Sequence, residues 1–130
     1  MATRSTITVR TGENERKEIY CHWDGRPEHN GKILLEHYNT QERAEELINL
    51  GDLSILQERI NPSTKNHSFE NPEDGVCVAY GRDRNESDTQ ARIKSNGIST
   101  TSEDYDYLFE NDMWFVNGSP LEELLKNIPS

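Results

Sequence analysis

A chain of 130 residues fits one compact domain, and a hydrophobic share of only 32% promises a thin core that self-association would enlarge. The formal charge of −10, from 24 acidic against 14 basic residues, argues against bare nucleic acid or an anionic membrane as partner. The first ten residues, MATRSTITVR, hold no apolar signal core and no run of about 18 apolar residues follows, so a cytoplasmic protein is expected.

Taken in order, 6–10 (TITVR) and 17–23 (KEIYCHW) alternate apolar and polar residues across the turn-forming TGENER, the pattern of a β-hairpin. After Gly25, Pro27 is suited to open a helix, and Ile33, Leu34, Leu35 and Tyr38 supply its stripe over 28–38. Thr40 stands as N-cap of a second helix, QERAEELINL, whose Ala44, Leu47 and Ile48 face the core and which Gly51 ends. Leu53, Ile55 and Leu56 then tuck a short segment back against the helices, and 60–74 has loop composition. The run 75–81 (GVCVAYG) is nearly all apolar, as a central strand buried on both faces would be. Residues 82–104 carry no pattern that assigns them an element. A second hairpin follows from YDYLF (105–109) and MWFVN (113–117), and Ser119 and Pro120 open a last helix with the stripe Leu121, Leu124, Leu125 and Ile128. The expected fold is therefore α+β, one domain over 1–130, with an antiparallel or mixed sheet of about five strands and helices packed on one face.

The most expressive stretch is YCHWDG, 20–25. As the end of a strand it puts Ile19, Cys21 and Trp23 on one face and Tyr20, His22 and Asp24 on the other, with Gly25 free to turn. That parity separates Cys21 from His22, so no activated thiol is expected, and no GxSxG or phosphate-loop pattern appears. Cys21 and Cys77 read as buried hydrophobes in a reducing compartment. Histidine and cysteine spacings give no metal site and no cofactor is implied. Arg82 and Arg84, two apart after the apolar run, would point the same way on a strand, and with Arg4, Ser5 and Thr3 they offer donors suited to phosphate oxygens. Trp23, Tyr20 and Tyr80 offer flat faces for a base. Pairing of Arg82 and Arg84 with local acids, and burial of the aromatics, remain the plainer alternatives. The acids Glu70, Glu73, Asp74, Glu103, Asp104, Asp106, Glu110 and Asp112 suggest a further reading, a surface imitating a nucleic-acid backbone.

MATRSTI, YCHWDG followed by PEHNGKILLEHY, ELINLGDLS, AYGRDR and the closing YLF and WFV resemble a family of small phage and prophage proteins, similar to the anti-CBASS sponge proteins. The resemblance covers most of the chain and implies a non-enzymatic, cytoplasmic counter-defence protein in the host cell. Such a protein sequesters a cyclic nucleotide signal without cleaving it and assembles as a homo-oligomer, a tetramer, with no DNA, RNA or membrane partner. On it, Arg4, Arg82 and Arg84 would hold phosphates, His22 and Asp24 a base or ribose edge, and Trp23 or Tyr20 would stack. Many members carry an aromatic residue after HWDG, where this chain has Arg26. An acidic inhibitor of a host defence protein is the alternative.

Overall fold

The computed structural model describes residues 3–95 and 103–126. Its sheet is mixed and has eight strands rather than five, because short pairings at both margins add to the two hairpins. Strands β1 (Ser5–Gly12) and β2 (Glu15–Cys21) form the first hairpin, with a register shift between Arg10 and Gly12. Next come a π-helical turn, Pro27–Gly31, and helices α1 (Lys32–His37) and α2 (Gln41–Ile48). Then follow β3 (Leu53–Ile55), β4 (Val78–Ala79), the one-turn helix α3 (Tyr80–Arg84) and β5 (Arg92–Ser95). The second hairpin is β6 (Tyr105–Glu110) with β7 (Met113–Val116), and β8 (Ser119–Pro120) leads into α4 (Leu121–Lys126).

The strand order is β4-β3-β2-β1-β6-β7-β8, with β5 also on β2. The centre is therefore β1, which lies antiparallel to β2 and parallel to β6, and not the 75–81 run, which supplies only the two-residue β4 at one end. Val76, Cys77, Val78 and Ala79 of that run are all buried although only Val78 and Ala79 stand in a strand. Burial on both faces does not require a central position. β2 divides its outer edge, giving Glu15–Glu18 to β5 and Cys21 to β3.

Alternate residues on one side of the sheet, Ile7, Val9, Ile19, Cys21, Tyr107 and Phe109, share one buried cluster with Leu34, Ala44, Leu47 and Leu121 of the helices. Trp114 of β7 donates from its indole to the Tyr38 carbonyl at 3.0 Å, closing β7 over the end of α1. Leu124 and Leu125 pack partly against the same cluster, whereas Ile128 lies outside the described residues. Ser119 and Pro120 pair with Val116 and Phe115 instead of capping, so α4 starts one residue later than its composition suggests. Asn111 and Asp112 both have positive φ, 55° and 60°, and this left-handed pair matches the twist of the strands that it joins. Among the described residues no helix is long and apolar enough to cross a membrane.

Thr40 caps α2 as its sequence position predicts, its Oγ1 accepting from the Arg43 amide at 3.2 Å. Thr40→Ala is expected to lower stability by about 1 kcal/mol, read as a shift in denaturant midpoint at unchanged slope.

Candidate functional site

YCHWDG is a corner rather than a strand end. β2 stops at Cys21, although the amides of His22 and Trp23 still bond to the carbonyls of Leu53 and Ser54 at 3.0 Å each. The left-handed residue of the turn is Asp24, at φ 56°, and not Gly25. Glycine is needed at 25 for proximity: a Cβ there would lie 2.8 Å from the Thr3 carbonyl oxygen and 2.9 Å from the Ser5 Cβ. The Gly25 amide donates to that Thr3 oxygen at 2.8 Å, which fixes the N-terminal segment to the corner. Behind the turn the fully buried Asn30 holds the arrangement, its Nδ2 standing 3.4 Å from Ser5 Oγ, Cys21 Sγ and the Trp23 oxygen, while the Tyr107 hydroxyl donates to the Gly25 oxygen at 2.6 Å.

This scaffold sorts the expected residues. Ser5 is fully buried and bonded to Asn30, so it belongs to the support and not to any surface a ligand can reach. Cys21 is buried too, and burial pushes its thiol up to about 12, so almost no thiolate exists near neutral pH. Trp23 leaves the face it would share with Ile19 and Cys21 and is 43% exposed, because the chain departs from strand geometry after Cys21. Tyr20 and His22 do share a side: the Tyr20 hydroxyl is 2.7 Å from His22 Nδ1, and His22 meets the Trp23 ring edge-on at 4.8 Å. His22 therefore pairs with Tyr20. Burial raises the Tyr20 phenol, against a lowering effect of the Arg4 charge.

Arg82 and Arg84 do not act together. They lie on α3, where residues two apart are about 200° apart around the axis, so the strand argument for a shared direction fails. Arg82 turns inward, bonding to the Cys77 oxygen at 2.7 Å and to Asp83 Oδ1 at 2.9 Å, and its pocket is completed by the Ile60 oxygen. Arg84 turns outward, pairs with Glu86 at 3.3 Å and sets its guanidinium 5.0 Å above the centre of the Phe69 ring. Arg10, Arg16, Arg43, Arg59 and Arg92 likewise have carboxylate partners. Among the described residues, Arg4 and Arg26 are the arginines without an ion pair, and both are exposed at this corner. Arg26 lines an open cleft of about 550 Å³ with Thr3, Glu28, Asp104, Tyr105 and Asn117. Nothing in the composition separates Arg26 from the paired arginines. The one sequence signal was its position, directly after HWDG.

The loop 60–74 is organised rather than loose. Glu73 accepts from the amides and hydroxyls of Ser63 and Thr64 at 2.8–3.1 Å, and these bonds lower its carboxyl to about 2. His67 Nε2 lies 3.1 Å from Asp83 while its Nδ1 accepts from the Glu73 amide at 3.0 Å. With its folded pKa depressed, Glu73 contributes order that is complete above the ordinary carboxylate range and is lost as pH falls from there through about 2. The amide resonances of Ser63 and Thr64 are accordingly expected to titrate with a midpoint near 2 rather than near 4. The acids that suggested a nucleic-acid mimic are partly spent within the fold, since Glu110 pairs with Arg10 and Arg16, and Asp106 accepts from Thr6 at 2.7 Å.

Among the described residues no three His, Cys, Asp or Glu side chains come together as a metal site. No family model matches the chain, and neither the curated proteins nor the solved structures give a match.

Proposed function

We propose that the protein binds a small nucleotide-derived anion at the YCHWDG corner and holds it without chemistry, as a sponge for a cyclic nucleotide immune signal. The observation that carries this reading is that Arg4 and Arg26, the described arginines without an ion pair, are exposed on segments that meet at Gly25, directly after the ring series Tyr20, His22 and Trp23. Guanidinium groups bind phosphate oxygens through paired, charge-assisted bonds, and exposed rings take bases by stacking. Glu28 and Asp104 in the adjoining cleft can accept from ribose hydroxyls or exocyclic amines. Sequestration also suits a corner whose thiol is held protonated by burial. An assembly of copies, tetrameric as the resemblance implies, would cover the open cleft and dry it, which strengthens charge pairing.

Calorimetry of the purified protein against cyclic di- and trinucleotides tests the reading. Heat of binding with recovery of intact ligand is expected. Folded protein giving no heat with any of them would overturn it, and recovery of cleaved ligand would make the protein a nuclease.

A further inference from the structure

Asn-Gly stands in the sequence at 30–31, 96–97 and 117–118, and the first and last of these pairs lie among the described residues. An asparagine before glycine is a reactive pair. The following amide nitrogen can attack the side-chain carbonyl carbon and close a five-membered ring, and glycine puts no Cβ in the way and lets the backbone turn to the angles that attack needs. The fold gives the two described pairs opposite surroundings.

Asn30 is fully buried in the turn Pro27–Gly31. Its Nδ2 is shared among Ser5, Cys21 and Trp23, and its Oδ1 lies 2.9 Å from His29 Nδ1. The Gly31 amide, the nitrogen that would attack, donates to the Arg26 oxygen, and the space beside Gly31 is filled, since a Cβ there would lie 2.9 Å from Leu121 Cδ1. Ring closure at Asn30 therefore waits on unfolding.

Asn117 and Gly118 form the two-residue loop between β7 and β8, next to the Val116–Ser119 pair. Both are exposed and left-handed, at φ 48° and 87°, and a Cβ on Gly118 would meet nothing within 4 Å. The loop has room for the Gly118 nitrogen to swing towards the Asn117 side chain, with water at hand to take up its proton. The carbonyl under attack is also polarised. Asn117 Oδ1 accepts from the Asp106 amide at 2.8 Å, so a donor already faces the oxygen on which negative charge gathers as the nitrogen adds.

We propose that Asn117 is a site of spontaneous deamidation in the folded protein, converting while Asn30 is protected. The Gly118 nitrogen bonds to Asn117 Cγ, the Cγ–Nδ2 bond breaks, and the proton lost from the attacking nitrogen passes through water to the amine, which leaves as ammonia. Water then opens the cyclic imide. One water is consumed and one ammonia released, with no oxidation or reduction. Breaking the new N–Cγ bond leaves aspartate; breaking the original main-chain amide leaves isoaspartate, which puts an extra methylene into the main chain of a two-residue loop. Either product adds a negative charge at residue 117, on the lining of the cleft that also holds Arg26, Glu28 and Asp104. The site stands whether or not that cleft takes a nucleotide.

The test ages the wild-type protein in mildly alkaline buffer, folded and in urea side by side, and maps its peptides by mass spectrometry for amide-to-acid conversion at 30 and 117. Circular dichroism verifies that the folded sample stays folded. In urea both residues are expected to convert. In the folded protein Asn30 is expected to slow by about 10³-fold or more, the suppression set by the fraction of unfolded chains. Asn117 is expected to stay within about 10-fold of its rate in urea, because opening an exposed loop costs little. Isoaspartate as well as aspartate at 117 identifies the cyclic imide as the route. The proposal is overturned if Asn117 is slowed as far as Asn30, or if Asn30 in the folded protein converts as fast as Asn117.

Discussion

Replacing Arg4 and Arg26 together by alanine is expected to weaken nucleotide binding by about 10²- to 10⁴-fold while stability changes by less than about 0.5 kcal/mol. The binding figure follows from two charge-assisted contacts of roughly 1.5–3 kcal/mol each. The stability figure follows from position: both side chains are exposed, and neither has an ion pair among the described residues. Arg82→Ala should do the reverse. It strips the Ile60 and Cys77 carbonyls of their donor and leaves Asp83, 5% exposed, short of a charge partner, so a loss of several kcal/mol is expected, in the range for breaking a buried pair. Denaturant melts alongside calorimetry separate the two classes. Equal effects of both substitutions on both measurements would contradict the division of the arginines into binding and structural groups.

Gly25→Ala is expected to damage stability and binding together. The added Cβ would meet the Thr3 oxygen at 2.8 Å, the Ser5 Cβ at 2.9 Å and the Arg4 carbonyl carbon at 3.0 Å, all on the neighbouring segment, where no flexible side-chain end can move aside. Separation of the two segments weakens the Gly25–Thr3 bond and displaces Arg4 with its segment. A cost of about 1–3 kcal/mol is typical of such overpacking. Because Arg4 rides on the displaced segment, affinity should fall at least about 10-fold even where the variant is fully folded, as expected when geometry at a site is lost. A folded Gly25→Ala protein with unchanged affinity would show that the corner geometry does not matter to binding.

Local chemistry in the sequence predicts local structure well here. Thr40 announces its cap, Gly51 (φ 84°) the end of α2, and Asn111–Asp112 the tight turn between β6 and β7. Side-chain alternation places Ile7, Val9, Ile19 and Cys21 in the core. Long-range pairing is what the pattern does not carry. β1 becomes central through a parallel partner a hundred residues away, Thr6 lying beside Asp106, and no period-2 signal specifies a neighbour so remote. For the same reason the apolar run 75–81 reads as a central strand although it supplies only the two-residue β4 at one end of the sheet. At the site, strand parity correctly separates Cys21 from His22 but extends the strand two residues too far and so misplaces Trp23. The roles of Arg4, Arg26 and Arg82 depend on whether a carboxylate or carbonyl lies within reach, which is settled only when Asp83, Ile60 and Cys77 are brought together.

A corner that holds an anionic nucleotide signal without chemistry returns it unchanged. Protein purified from cells that produce such signals is washed, denatured by heat, and its supernatant examined by mass spectrometry, with the Arg4→Ala, Arg26→Ala double variant treated in parallel. An intact cyclic nucleotide released by the wild type, in amounts near stoichiometric with protein and strongly reduced in the variant, is the predicted result. Equal release from both proteins, or a linear cleavage product from the wild type, would contradict it.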